Sequence, residues 1–86
     1  MTKNDAKPYV LRGADGYVLE AIAESIAEGT PAISAAALTF KTSYTRPTIQ
    51  AAVNRLEAAG YLVVKRGHGR TPNHYRLTYL GRQALL

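Results

Sequence analysis

Gln50 and Asn54 stand four residues apart in the run TRPTIQAAVNRLEAAG, with Arg46 and Arg55 to either side. Side-chain amides one helical turn apart are groups that read a base edge, since each can bond adenine N6 and N7 together. A second run follows at 66–78, RGHGRTPNHYRLT, with three arginines, two histidines, two glycines and no acid. Its residue types admit a catalytic histidine pair, a metal clip, a phosphate-cradling loop or a nucleic-acid contact.

Spacing removes the first three. His68 and His74 need further donors to hold a metal, the chain has no cysteine, and five of its six acids lie before residue 41. Gly67-His68-Gly69 lacks the Walker spacing, and no helix begins directly after it. No serine stands convincingly beside a histidine and a carboxylate, so nucleophilic catalysis has no constellation. Glu20, Glu24 and Glu28 form a stripe, but with nothing to pair with they read as a solvated face rather than a carboxylate array. The expectation is a protein that is not an enzyme, with no metal and no cofactor. Nucleic-acid contact survives.

Local signals predict the elements that must carry these residues. In DGYVLEAIAESIAEG, Val18, Leu19, Ile22, Ala23 and Ile26 make one apolar helical face, with Asp15 as N-cap and Gly29 as stop. ISAAALTFK predicts a second helix, starting at Ile33 or Ser34 and anchored by Leu38 and Phe40, followed by a polar break at 42–44. The third helix runs from Thr45 as N-cap, with Pro47 in its first turn, to the stop at Gly60. Ile49, Ala52, Val53, Leu56 and Ala59 share its inner face. Pro47, Gln50, Ala51 and Asn54 take the opposite one, and Thr48 and Arg55 sit on a flank.

Beyond Gly60 the apolar period drops to two. Leu62 and Val64 alternate with Val63 and Lys65, and Tyr75 and Leu77 with His74 and Arg76, which predicts a β-hairpin closed by six or seven loop residues. Thr78 is placed to cap a last helical segment, and Tyr9–Leu11 suit a short strand or turn.

Eighty-six residues with net charge +5 bound the rest. A chain of this length is one domain that buries roughly 60–65% of its unfolded surface. Fourteen of the apolar residues are alanine, which favours helix. The charge is lopsided. Residues 1–40 hold three Lys/Arg against five Asp/Glu, and residues 41–86 hold eight against the single acid Glu57. That asymmetry points to a polyanionic partner, a basic but idle surface being the plain alternative. No run suits a bilayer and no signal peptide is visible, so a cytosolic location is expected.

Three helices, the last ending in RLEAAGYL, then a hairpin with a Gly- and Arg-rich tip: this resembles the winged helix-turn-helix DNA-binding domain. TRPTIQAAVNRLEAAGYLVVKRGHGRTPNHYRLT is similar to the recognition helix and wing of MarR-, GntR- and PadR-type bacterial or phage regulators. RLTYLGRQALL resembles the passage that closes many MarR-like wings, and the wing tip is also similar to that of plasmid and phage replication proteins. The resemblance implies an α+β fold, a three-helix winged helix-turn-helix with a C-terminal β-hairpin wing. It divides the chain into an N-terminal arm (1–14), the domain (15–80) and a short C-terminal segment (81–86).

What the resemblance implies and what the residues offer agree on double-stranded DNA. The recognition helix, about 45–59, enters the major groove with Gln50 and Asn54 on bases and Ala51 against a thymine methyl. Arg46 and Arg55 reach guanine or phosphate. Thr45, Thr48 and the free N–H groups of the helix start suit a phosphate oxygen. Lys41 and Tyr44 are assigned to the DNA backbone. In a winged helix the hairpin lies beside the recognition helix, so Lys65, Arg66, His68, Gly69, Arg70 and Asn73 fall on the minor groove or backbone, where arginine is favoured. Lys41, Arg46, Arg55, Lys65, Arg66, Arg70 and Arg76 are the candidate phosphate neutralisers. A homodimer acting by site occupancy is expected, using Tyr79, Leu80, Leu85 and Leu86 with Tyr9–Leu11, and no small-molecule ligand is evident. A replication or partition accessory factor and a protein-interaction module are the alternatives.

Overall fold

The computed structural model describes Leu11 and residues 13–86. Its elements run α1 (Gly13–Ala27), β1 (Ala32–Ile33), α2 (Ala35–Thr42), α3 (Arg46–Ala58), β2 (Leu62–Lys65), β3 (Asn73–Leu77) and α4 (Tyr79–Ala84). This is the expected α+β winged helix. The expected strand or turn at Tyr9–Leu11 lies, apart from Leu11, outside the described residues.

The apolar face of α1 is the centre of the core. Val18, Leu19 and Ile22 are fully buried against Leu38 of α2 and Ile49, Ala52, Val53 and Leu56 of α3. Both long helices stop in the same way. Thr30 N–H returns to Ser25 O (2.8 Å) and Gly29 N–H to Ile26 O (3.0 Å), while at α3 Tyr61 N–H returns to Leu56 O (2.9 Å) and Gly60 N–H to Glu57 O (3.0 Å). Gly29 and Gly60 sit at φ 87° and 85°, the left-handed backbone that such double-bonded helix ends use and glycine adopts at no steric cost.

The hairpin alternates as expected, with Leu62 and Tyr75 buried and Val63, Lys65, His74 and Arg76 facing out. Val63 pairs Arg76 and Lys65 pairs His74 across antiparallel β2 and β3. Thr78 caps α4, its Oγ1 accepting from Gly81 N–H at 3.0 Å and donating to Gly60 O at 2.6 Å. The base of the wing is thereby tied to the end of α3.

Four expectations are corrected. Asp15 is not an N-cap: α1 starts at Gly13, and Asp15 lies in its first turn with 7% exposure. Phe40 is not an anchor but is 89% exposed, because Leu38 alone of α2 turns fully into the core. The polar break is 43–45 rather than 42–44. Thr42 stays helical with its hydroxyl on Leu38 O (2.7 Å), and Ser43 ends the helix at φ 65°. Finally, of the two starts expected for α2, Ser34 is the N-cap, its Oγ accepting from Ala37 N–H at 3.0 Å, and Ile33 is strand. Ala32–Ile33 pairs antiparallel with Asn73–His74, giving a three-stranded sheet of order β1-β3-β2 among the described residues. Two residues are too few to show a period of two, so no pattern announces that strand.

Candidate nucleic-acid interface

Helix α3 keeps its two faces apart. Ile49, Ala52, Val53 and Leu56 are buried, while Arg46, Gln50, Ala51 and Asn54 are exposed on the other side. Gln50 and Asn54 touch, Nε2 donating to Oδ1 at 3.1 Å. Thr45 occupies the N-cap position but makes no side-chain cap bond, and its hydroxyl instead meets that of Thr48 at 3.1 Å. The N-terminal backbone donors of α3 therefore keep their outward capacity beside two hydroxyls.

The wing meets this face directly. Arg66 forms a bidentate pair with Glu57, Nη2 to Oε1 at 2.9 Å and Nη1 to Oε2 at 3.1 Å, and also approaches Asn54 Oδ1 at 3.5 Å. That hydrogen bond holds the Glu57 carboxyl below the usual range and raises Arg66. His68, Gly69 and Arg70 are exposed at the tip. Between α2, the start of α3 and the wing lies an open cleft of roughly 620 Å³, floored by Ile33, Leu38 and Tyr75 with Arg46 and Arg70 beside them. The sequence pattern holds no sign of this cleft, because its walls come from three separate segments.

Other expected contacts are occupied within the protein. Arg55 grips Asp15, Nε to Oδ2 at 2.9 Å and Nη2 to Oδ1 at 2.6 Å, and this bond raises the guanidinium further above its already high range. It faces α1 instead of standing free beside Gln50. Lys41 pairs with Glu24 at 3.2 Å. Tyr44 is half-buried, its ring centroid 6.4 Å from that of Tyr17. Asn73 works inside the wing, accepting Gly67 N–H at 3.0 Å and donating to the Tyr75 hydroxyl at 3.4 Å.

Three of the seven candidate neutralisers are thus ion-paired: Lys41, Arg55 and Arg66. Arg46, Lys65, Arg70 and Arg76 have no ion pair among the described residues and remain to meet an anion. Glu57, the acid that ties α3 to the wing, is not singled out by the sequence pattern, although it is the single acid of residues 41–86, three positions after Asn54. Asp15 carries no comparable signal, since Arg55 is forty residues away.

Among the described residues there is no cluster of three or more His, Cys, Asp or Glu able to hold a metal. No helix among them is long and apolar enough to cross a membrane. A search of curated proteins finds no match. A family model described as the MarR family matches residues 11–71, more than half of the chain, from α1 through β2 into the wing loop.

Proposed function

The chain belongs to the MarR family of winged-helix DNA-binding regulators, and from that premise we propose that it recognises a preferred sequence in double-stranded DNA and represses by occupying it. Helix α3 lies in the major groove with Gln50 and Asn54 on base edges and Ala51 between them, small enough for close approach. Thr45, Thr48 and the start of α3 receive a phosphate. The tip residues His68, Gly69 and Arg70 fall on the neighbouring minor groove or backbone.

One observation carries this reading. The exposed amide pair on α3 shares its helix with Arg46, and Gln50, Arg46 and Arg70 line one open cleft, with neither cation ion-paired to an acid among the described residues. A protein-interaction module has no need of unpaired cations there.

A homodimer supplies the second half-site that one small module needs for specificity. The exposed Tyr79, Leu80 and Leu86 offer apolar surface for it, and Leu11, Tyr17, Ala84 and Leu85 line one shallow hollow between the two ends of the described chain.

Selection of bound duplexes from a random pool, followed by affinity across salt, tests the reading. An enriched inverted repeat with a steep salt dependence supports a dimeric regulator. Steep dependence without a motif removes sequence recognition, and no binding at low salt removes DNA as the partner of this surface.

A further inference from the structure

Asn54 Oδ1 is the meeting point of two donors, Gln50 Nε2 at 3.1 Å and Arg66 Nη2 at 3.5 Å. Arg66 is delivered there by its two-bond fork on Glu57. Glu57 follows Asn54 by three residues, so both project from one side of α3. An amide oxygen has two lone pairs: Gln50 takes one of Asn54's, and Arg66 stands at the outer limit of hydrogen-bonding distance from the other. The Asn54 Nδ2 group, with two donors and no acceptor, is what remains for a base. Gln50 has used one amide hydrogen and keeps the other, together with its Oε1 acceptor.

These leftovers are not equivalent. A two-point contact with adenine needs a donor for N7 and an acceptor for N6, whereas guanine presents two acceptors, N7 and O6. We propose that Glu57, acting through Arg66, is a specificity-determining positioning residue: it fixes the Asn54 amide with its donors outward, so that Asn54 reads guanine while Gln50, one turn earlier, reads adenine. This rests on α3 lying in the major groove, and it replaces a pair of adenine readers with a donor-only reader beside a mixed one. It also gives the lone acid of the basic half a purpose. Glu57 repels phosphate and holds one arginine back from it, and in exchange it sets the polarity of a base contact.

Duplex selection with the native protein, Asn54→Ala and Glu57→Gln provides the test. Asn54→Ala marks the position that Asn54 reads, by loss of preference there alone. At that position the native protein is expected to favour guanine over adenine by about tenfold. Glu57→Gln is expected to accept both there, leave the other positions unchanged, and steepen the log–log salt slope on random duplex by about one unit as Arg66 is released to phosphate. Arg66→Gln opens the same link from the wing side. It should relax the same position without steepening the slope, so the answer does not hang on one variant folding. A purely structural role lowers thermal midpoint and affinity together and leaves the base preference where it was, which overturns the proposal. Native adenine preference at that position overturns it too, as does a guanine preference that neither variant moves. If the native protein enriches no motif, the parent reading of α3 falls and this one with it.

Discussion

At the scale of single residues, Asp15 and Arg55 show how a side chain of the expected type can be spent elsewhere. The guanidinium fork closes on a carboxylate with 7% exposure, tying the first turn of α1 to the flank of α3. Removing Arg55 strips a buried carboxylate of a two-bond fork that joins two helices, which costs stability. Arg55→Ala is therefore expected to lower the thermal midpoint while leaving the salt slope for DNA unchanged. Arg70→Ala should do the reverse, flattening the slope by about one unit with the midpoint unmoved. Salt-titrated binding and thermal melts on both variants separate the two roles. Gly67 is a second case. It opens the Gly- and Arg-rich tip, and a Cβ there would overlap Thr71 O inside the wing. Gly67→Ala must reshape the loop that carries Arg70, and weaker DNA binding with a nearly unchanged midpoint is the expected reading from the same two assays.

At the scale of elements, α3 and the wing hold together as one surface because two links join them. Thr78 bonds Gly60 O at the base, and Arg66 bonds Glu57 higher up. The upper link is pH-sensitive with a definite sign. Arg66 depresses the Glu57 pKa in the folded state, so the link stabilises the fold at neutral pH and that contribution fades as pH falls through the lowered value. Because the pair is solvent-exposed, its worth is under about 1 kcal/mol. Melting curves of the native protein and Glu57→Gln should differ slightly near neutrality and converge in acid. Packing of α3 on α1 is the stronger tie: Leu56 is fully buried, and Leu56→Ala should cost about 2–5 kcal/mol in denaturant unfolding.

At the scale of the whole molecule, the fold reduces the charge asymmetry of the chain. Of the eight cations after residue 40, Lys41, Arg55 and Arg66 are held by Glu24, Asp15 and Glu57. If the four unpaired candidates, Arg46, Lys65, Arg70 and Arg76, each neutralise one phosphate, the salt slope should be about −3.6 per protomer. A slope near −6 would mean that the ion pairs open on binding. For a dimer, half-sites of an inverted repeat are expected roughly 34–36 Å apart, one turn of the duplex, which footprinting on a selected site would measure.

The residues themselves determined the three helices, the hairpin, the buried and exposed faces of α3 and the placing of Gln50 beside Asn54. Those features follow from apolar periods of 3.6 and 2 and from Gly, Pro, Ser and Thr at element ends, all of which are local. Tertiary structure alone decided which charges are free. Arg55 and Lys41 carry the same composition signal as Arg70, and only the packing of α1 against α3 and α2 brings Asp15 and Glu24 onto them. The same holds for β1, a two-residue strand that exists because β3 passes beside it. An ion pair, a short strand and a cleft between segments are relations across dozens of residues, and a pattern read along the chain has no register in which to record them.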